Sequence, residues 1–135
     1  MQISNIIVGE LHTNCYIISK NSECVIIDPG AEPDKIINFL ESMKLTPKLL
    51  ISTHYHADHV GAVKKLIEKY DIQFAIGKND LNFLDAQPAW VSNLISTYEK
   101  PTSPDILLLG EETINLLDLE IKIISTPGHS PGSIC

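Results

Sequence analysis

Apolar and polar residues alternate in short runs along the first part of the chain, in the way that predicts β-strands. Apolar runs bounded by turn residues are typical of strands, and they lie at Ile3–Val8, Cys15–Ile18, Cys24–Asp28 and Leu49–Ser52. The polar stretch Lys-Asn-Ser at 20–22 separates the second run from the third and favours a hairpin turn. The chain is therefore expected to begin as a sheet.

The spacing of apolar residues changes to the helical period after the third strand. From Pro33, which suits a first helical turn, apolar side chains recur at Ile36, Ile37, Leu40 and Met43. A second helix is predicted after residue 59, and its apolar face consists of Val60, Val63, Leu66, Ile67 and Tyr70. Strands that alternate with helices favour a layered α/β fold.

The second half of the chain has a less regular pattern. Gln73–Ile76 predicts a short strand, and Pro88–Tyr98 predicts a helix between proline-rich loops. Ile106–Ser125 is typical of β-structure. Its last predicted strand, Ile121–Ile124, leads directly into the turn-forming segment that ends at His129.

Length and composition indicate one domain spanning residues 1–135. With 44% hydrophobic and 20% charged residues the chain can build a modest core, which argues against disorder. The net charge of −7, without a basic run longer than Lys64-Lys65, makes nucleic acid an unexpected partner. The sequence has no signal-peptide pattern and no apolar stretch long enough for a bilayer, so a cytoplasmic location without membrane partners is expected.

The cysteines give no disulfide framework, because Cys15, Cys24 and Cys135 are odd in number and far apart. Cys15 and Cys24 lie in apolar runs and are expected to be reduced and buried.

The segment Thr53–Gly61 concentrates residues that bind metals. Of the six residues at 54–59, four are metal-ligand types, namely His54, His56, Asp58 and His59. Side chains two residues apart in an extended or turning backbone point the same way, so His54 and His56 can converge on one ion. Asp58 and His59 stand at the start of the predicted helix, where they can reach a second point. Gly61 lets that helix approach the site closely.

A later turn-rich segment, Thr126–Gly132, supplies His129, which prolines and glycines hold in position on both sides. The segment follows a predicted strand, as the first cluster does. Imidazole and carboxylate ligands together suit zinc, iron or manganese better than calcium.

Each candidate also has a plainer interpretation. The clustered histidines could form a surface run, and His129 could be an ordinary loop residue, but the density of ligand types favours metal binding. His12 has no comparable setting and is predicted to be structural. Asp28 is either a turn former or a hydrogen-bond partner that orients a metal ligand, and the sequence leaves both open.

These motifs resemble those of the metallo-β-lactamase superfamily, and within it those of the glyoxalase II-like hydrolases. The resemblance rests on the His-x-His-x-Asp-His motif in Thr53–Gly61 and on Thr-Pro-Gly-His-Ser-Pro-Gly at Thr126–Gly132. Thr13–Tyr16 and Ile26–Gly30 are similar to the family's opening hairpin. The resemblance implies an αββα sandwich with a metal pair at one edge of its two sheets, of which this chain has the N-terminal portion.

The resemblance also implies which residues bind metal. His54, His56 and His129 match the ligands of the first metal. Asp58 and His59 match ligands of the second, which the family completes with a bridging Asp and a further His beyond residue 135. The expected cofactor is zinc, as one or two ions, and iron or manganese would also fit. The second site is expected to be the weaker.

The implied activity is hydrolysis by a metal-bound hydroxide, with Asp58 as the catalytic residue that helps to orient it. The resemblance to the glyoxalase II-like subgroup implies a small-molecule substrate, a thioester such as acyl-glutathione.

Other functions share the motif. A persulfide dioxygenase-like enzyme would use a single iron and oxygen chemistry, and lactonases and tRNA-processing nucleases also carry the motif, although the acidic charge disfavours a nuclease. A further hypothesis is an inactive metal-binding fragment. An uncovered sheet face and edge in such a fragment would favour self-association.

Overall fold

The central sheet contains six strands in sequence order, antiparallel over the first three and parallel from the third to the sixth. The computed structural model describes residues 1–135 apart from the side chain of Ser92. The strands of the sheet are β1 (Gln2–Val8), β2 (Thr13–Lys20), β3 (Glu23–Ile27), β4 (Thr46–Ser52), β5 (Gln73–Gly77) and β6 (Ile106–Leu108). Two further strands, β7 (Thr113–Leu116) and β8 (Leu119–Lys122), form a separate hairpin.

The helices are short and fill the connections between parallel strands. They are α1 (Pro33–Met43), α2 (Ala57–Val60), α3 (Val63–Tyr70) and α4 (Val91–Leu94), with a 3-10 helix at Lys78–Phe83. No helix among the described residues is long and apolar enough to cross a membrane.

Two apolar cores lie on opposite faces of the sheet. On one face Leu50 and Phe74 pack with helical residues such as Leu66. On the other face Ile51 and Ala75 belong to a second cluster, against which side chains of the β7–β8 hairpin pack. Parallel strands are usually covered on both faces, which explains the unbroken apolar run in β4. The layers are therefore helix, sheet and sheet, as expected for the α/β sandwich.

The strands predicted from Ile3 to Ile76 and the first helix are confirmed, and Cys15 and Cys24 are free and buried as expected. The helix predicted at Pro88–Tyr98 is wrong in length, because the backbone is extended again at Ile95 after a single turn. The last predicted strand is shifted, since β8 ends at Lys122 and Ile124 instead pairs with Cys135.

Parallel strands bring the carboxyl ends of β3, β4 and β5 to one edge of the sheet. Asp28 follows β3 directly, the histidine segment follows β4, and Asp80 lies in the 3-10 helix that follows β5. The C-terminal segment is fixed at the same edge, because the Ile134 amide donates to the Thr53 carbonyl at 2.9 Å. Such edges are where open α/β sheets place their ligand sites.

Candidate metal centre

Three histidines converge at this edge. His56 Nδ1 lies 3.0 Å from His54 Nε2 and 3.0 Å from His129 Nε2. The three nitrogens lie within 4.8 Å of one another. His54 is buried, His56 is partly exposed and His129 is exposed, so the group opens to solvent on one side. His12 lies in an exposed turn after β1 and is not part of this group.

The geometry of these nitrogens fits a bound metal ion. Zinc binds imidazole nitrogens at about 2.0–2.1 Å, which holds the nitrogens of a tetrahedral site about 3.3 Å apart. The 3.0 Å separations are close to that value. His56 Nδ1 faces two other ring nitrogens, although a ring nitrogen has only one hydrogen or one lone pair to offer. A shared cation satisfies all three lone pairs at once.

The orientation of His54 is set by hydrogen bonds that start at Asp28. The Asp28 carboxylate accepts from the Thr53 amide at 2.7 Å and from the Thr53 hydroxyl at 2.8 Å. Because that hydroxyl has donated its only hydrogen, it must accept from His54 Nδ1–H, which lies 3.1 Å away. His54 therefore directs the lone pair of Nε2 at the other histidines. Of the two roles open for Asp28, the structure supports orientation of a candidate ligand.

The electrostatics favour neutral imidazoles at this point. Burial, together with the charges of His59 and His56, lowers the pKa of His54 to about 4. Burial and the neighbouring His129 also lower the pKa of His56. Both rings are thus neutral near pH 7, and each has one ring nitrogen whose lone pair it can offer to a cation.

Asp58 and His59 form a separate pair beside the three histidines. Asp58 Oδ2 lies 3.3 Å from His59 Nε2 and accepts a hydrogen bond from the Thr13 hydroxyl at 2.8 Å. His59 Nδ1 lies 3.1 Å from Asp28 Oδ2, off the direction of a straight hydrogen bond. The His59 ring is therefore held between two carboxylates.

These carboxylates shift the proton equilibria of the pair. Burial alone would lower the pKa of His59, but Asp28 and Asp58 outweigh it and raise that pKa to about 9. Burial acts to raise the pKa of Asp58, but His59 and Thr13 outweigh it and hold that pKa well below its usual range. In the absence of metal, Asp58 is ionised and His59 is the positively charged imidazolium at neutral pH.

The raised pKa of His59 predicts a pH-dependent stability in the metal-free protein. In the folded protein the pKa of His59 is about 9, above its ordinary value of 6.5. The stabilisation that protonated His59 gains from the two carboxylates is therefore complete below pH 6.5 and is lost as the pH rises through 9. Urea unfolding with a chelator should therefore show that the advantage of wild type over His59→Gln shrinks between about pH 6 and about pH 9.5. An equal advantage at both pH values would contradict the pairing.

Two glycines allow the α2 turn to approach the sheet edge. A Cβ on Gly61 would lie 2.4 Å from the Gly30 carbonyl oxygen, and a Cβ on Gly30 would lie 1.5 Å from the Asp58 carbonyl oxygen. Both contacts are far inside van der Waals distance, so a side chain at Gly30 would displace the backbone of Asp58 and one at Gly61 would displace the backbone of Gly30. The close approach expected at Gly61 is confirmed.

The sequence profile of the metallo-β-lactamase superfamily matches residues 8–135. The chain belongs to the metallo-β-lactamase superfamily. This confirms the resemblance drawn from the two histidine motifs.

Relatives within the superfamily include hydrolases. The protein named probable metallo-hydrolase YqgX from Bacillus subtilis is 34% identical over 94% of this chain and 61% of its own length. A hydroxyacylglutathione hydrolase from Buchnera aphidicola is 32% identical over 86% of this chain and 39% of its own length. The chain thus spans less than two thirds of the length of these relatives.

Solved structures of the superfamily have the same fold. The B3 metallo-β-lactamase BLEG-1 superposes with a TM-score of 0.87 at 30% identity, over 98% of this chain and 65% of that protein. The di-iron-bound form of TTHA1623 gives a TM-score of 0.83 at 31% identity, over 97% of this chain and 64% of that protein. The superfamily and the histidine cluster fit a metal-dependent hydrolase, and the di-iron neighbour means that zinc is not singled out.

In this superfamily member, Asp80, which the sequence analysis missed, forms hydrogen bonds to both histidine segments. Asp80 is completely buried, and its Oδ2 accepts from the Ser130 hydroxyl at 2.7 Å and from the Tyr55 amide at 3.0 Å. Its Oδ1 accepts from the Gly132 amide at 2.6 Å. One carboxylate therefore holds both the segment of His54 and His56 and the loop of His129.

The sequence carried a signal for Asp80. It lies soon after a buried parallel strand, as Asp28 does, and an acidic residue at that place is aimed at the sheet edge where the site forms. The glycine of the second Pro-Gly step is explained at the same time, because a Cβ on Gly132 would lie 2.5 Å from the Asp80 amide nitrogen.

Proposed function

We propose that the chain provides the metal-binding part of a hydrolase that cleaves thioesters such as acyl-glutathione. The observation that carries this proposal is the convergence of three imidazole nitrogens, with His56 Nδ1 3.0 Å from each of the other two, next to the Asp58 carboxylate. His54, His56 and His129 hold the first metal, and Asp58 and His59 contribute to the second. Zinc, iron or manganese bound there supplies Lewis acidity toward the carbonyl and makes water a nucleophile near neutral pH.

Asp58 is the residue to which we assign the catalytic role within this chain. Its carboxylate borders the cavity next to His56, and the contacts from Thr13 and His59 to Oδ2 hold it in one orientation. A carboxylate kept ionised in this position accepts a hydrogen bond from the attacking water and aligns it with the carbonyl carbon. The hydrogen bond between His54 and Thr53 holds the His54 ring in one orientation, so that a metal bound to His54 would lie at a fixed place next to Asp58.

The thioester class is supported by the Buchnera relative, whose name is hydroxyacylglutathione hydrolase. A thioester also suits the chemistry, because thiolate is a good leaving group that needs little general-acid assistance. The chain accordingly needs an oriented water and a polarised carbonyl more than a proton donor. The substrate is a small molecule, since the cavity beside Asp58 has a volume of about 330 Å³.

The test is a substrate panel measured with protein loaded with zinc, iron or manganese. We expect hydrolysis of acyl-glutathione, and a fall in kcat of at least about a hundredfold in Asp58→Asn with little change in KM. Asp118→Asn, at an exposed position between β7 and β8 and outside the histidine cluster, is the matched control and should retain full activity. Cleavage of a β-lactam without cleavage of any thioester, or sulfur oxygenation with iron alone, would refute the proposal.

A further inference from the structure

A cavity of about 330 Å³ opens directly beside the candidate metal centre. His56 and Asp58 line it next to the histidine cluster. The segment that contains α4 contributes Trp90, Leu94 and Ile95 to its wall. Leu11, from the turn after β1, also lines the cavity. The cavity is therefore continuous with the site and is walled mainly by apolar side chains.

Large apolar side chains at its mouth remain accessible to solvent. Trp90 is 60% exposed, Leu11 50% and Leu94 39%. Exposed apolar groups that surround a concave site are typical of ligand binding. The polar side is fixed, because the Gln87 side chain donates to the Tyr55 carbonyl at 2.7 Å and the Tyr55 ring stacks on Phe83 at 5.2 Å.

Charge distinguishes which part of a thioester this cavity can accept. Glutathione carries two carboxylates, and among the described residues that line the cavity there is no lysine or arginine, whereas Asp58 adds negative charge. A peptide carboxylate buried here would be unpaired, which is strongly unfavourable. An apolar chain buried here gains about the same free energy per unit of apolar surface as it does in any other apolar site. Ligand pockets usually have volumes of about 300–1,000 Å³, and this cavity is near the lower end of that range. It therefore has room for the acyl group of a thioester but not for the whole acyl-glutathione molecule.

We propose that this cavity binds the acyl group of the substrate and selects apolar acyl chains of medium length. The inference rests on the proposed function, because the carbonyl at the end of the chain is placed at the histidine cluster. The thiol portion of the substrate then extends into solvent on the open side of His129. Leu11 and Leu94 are the residues that determine acyl specificity.

The experiment uses the single tryptophan of the sequence, Trp90, as the reporter. Zinc-loaded protein is titrated with butyrate, hexanoate and octanoate, whose carboxylate head is constant and whose chain length alone varies. We expect a shift of tryptophan emission to shorter wavelength on binding, and a Kd that falls about fourfold for each added methylene. In Leu94→Asn and in Leu11→Asn, the length dependence should fall to less than twofold per methylene.

Leu109→Asn is the matched control, since Leu109 is 65% exposed and does not line this cavity. It should leave the length dependence unchanged. A Kd that is the same for all three chains, or that responds equally to the control, would overturn the inference. Length-dependent binding without any thioester hydrolysis supports the cavity and refutes the proposed reaction. Thioester hydrolysis with a flat chain-length series refutes the cavity alone.

Discussion

Replacing His56 with alanine is expected to weaken zinc binding by roughly a thousandfold, since about 10–16 kcal/mol of binding free energy is shared among three or four ligands. His56 has the largest effect because its Nδ1 is the nitrogen that contacts both His54 and His129. Without it, only two imidazoles remain in this group, and two ligands hold a divalent ion poorly. Titration with zinc against a chromophoric chelator measures the loss.

His12→Asn provides the control for this prediction. His12 is exposed and has a backbone φ of 54°, a conformation that asparagine tolerates well. Its zinc affinity should equal that of wild type. Retention of tight one-to-one zinc binding by His56→Ala would rule out the three-histidine site.

Asp80→Asn is expected to lower the free energy of unfolding by about 2–4 kcal/mol. The carboxylate accepts three hydrogen bonds in a fully buried position, and an amide would direct its own N–H groups at one of these donors. Because the loop of His129 is held through the same carboxylate, zinc affinity should also fall, by roughly 10–100-fold. Urea unfolding with and without zinc measures both effects.

Asp118→Asn is again the comparison, because its side chain is 83% exposed and should change stability by less than about 0.5 kcal/mol. Full zinc affinity in a destabilised Asp80→Asn would mean that Asp80 serves the fold without positioning His129.

Local sequence patterns were sufficient for the strands of the first half of the chain, for α1 and for the clustered ligand types. The period of apolar residues reports which face of an element is buried, and that holds for β4 and α1 without knowledge of their neighbours. The density of histidine and aspartate at 54–59 is likewise a local property.

The roles of Asp28 and Asp80 depend instead on strand pairing. Asp28 reaches Thr53 because β3 and β4 are parallel neighbours, with Ile27 opposite Ile51. Asp80 meets Gly132 across 52 residues of chain. No local pattern encodes such partners. The helix predicted at Pro88–Tyr98 failed for a related reason, since tertiary contacts of the buried Ile95 override the helical period there.

The two nitrogens of His56 and His129 that meet at 3.0 Å are 73 residues apart along the chain. An ion held by both is a cross-link that closes a loop of that length, comparable in chain entropy to a disulfide worth about 4 kcal/mol. The loop encloses α4, most of the cavity wall and the β7–β8 hairpin. If the proposed ion is bound there, metal content would govern how freely this whole stretch fluctuates, and removing the ion would loosen the cavity wall together with the histidine cluster.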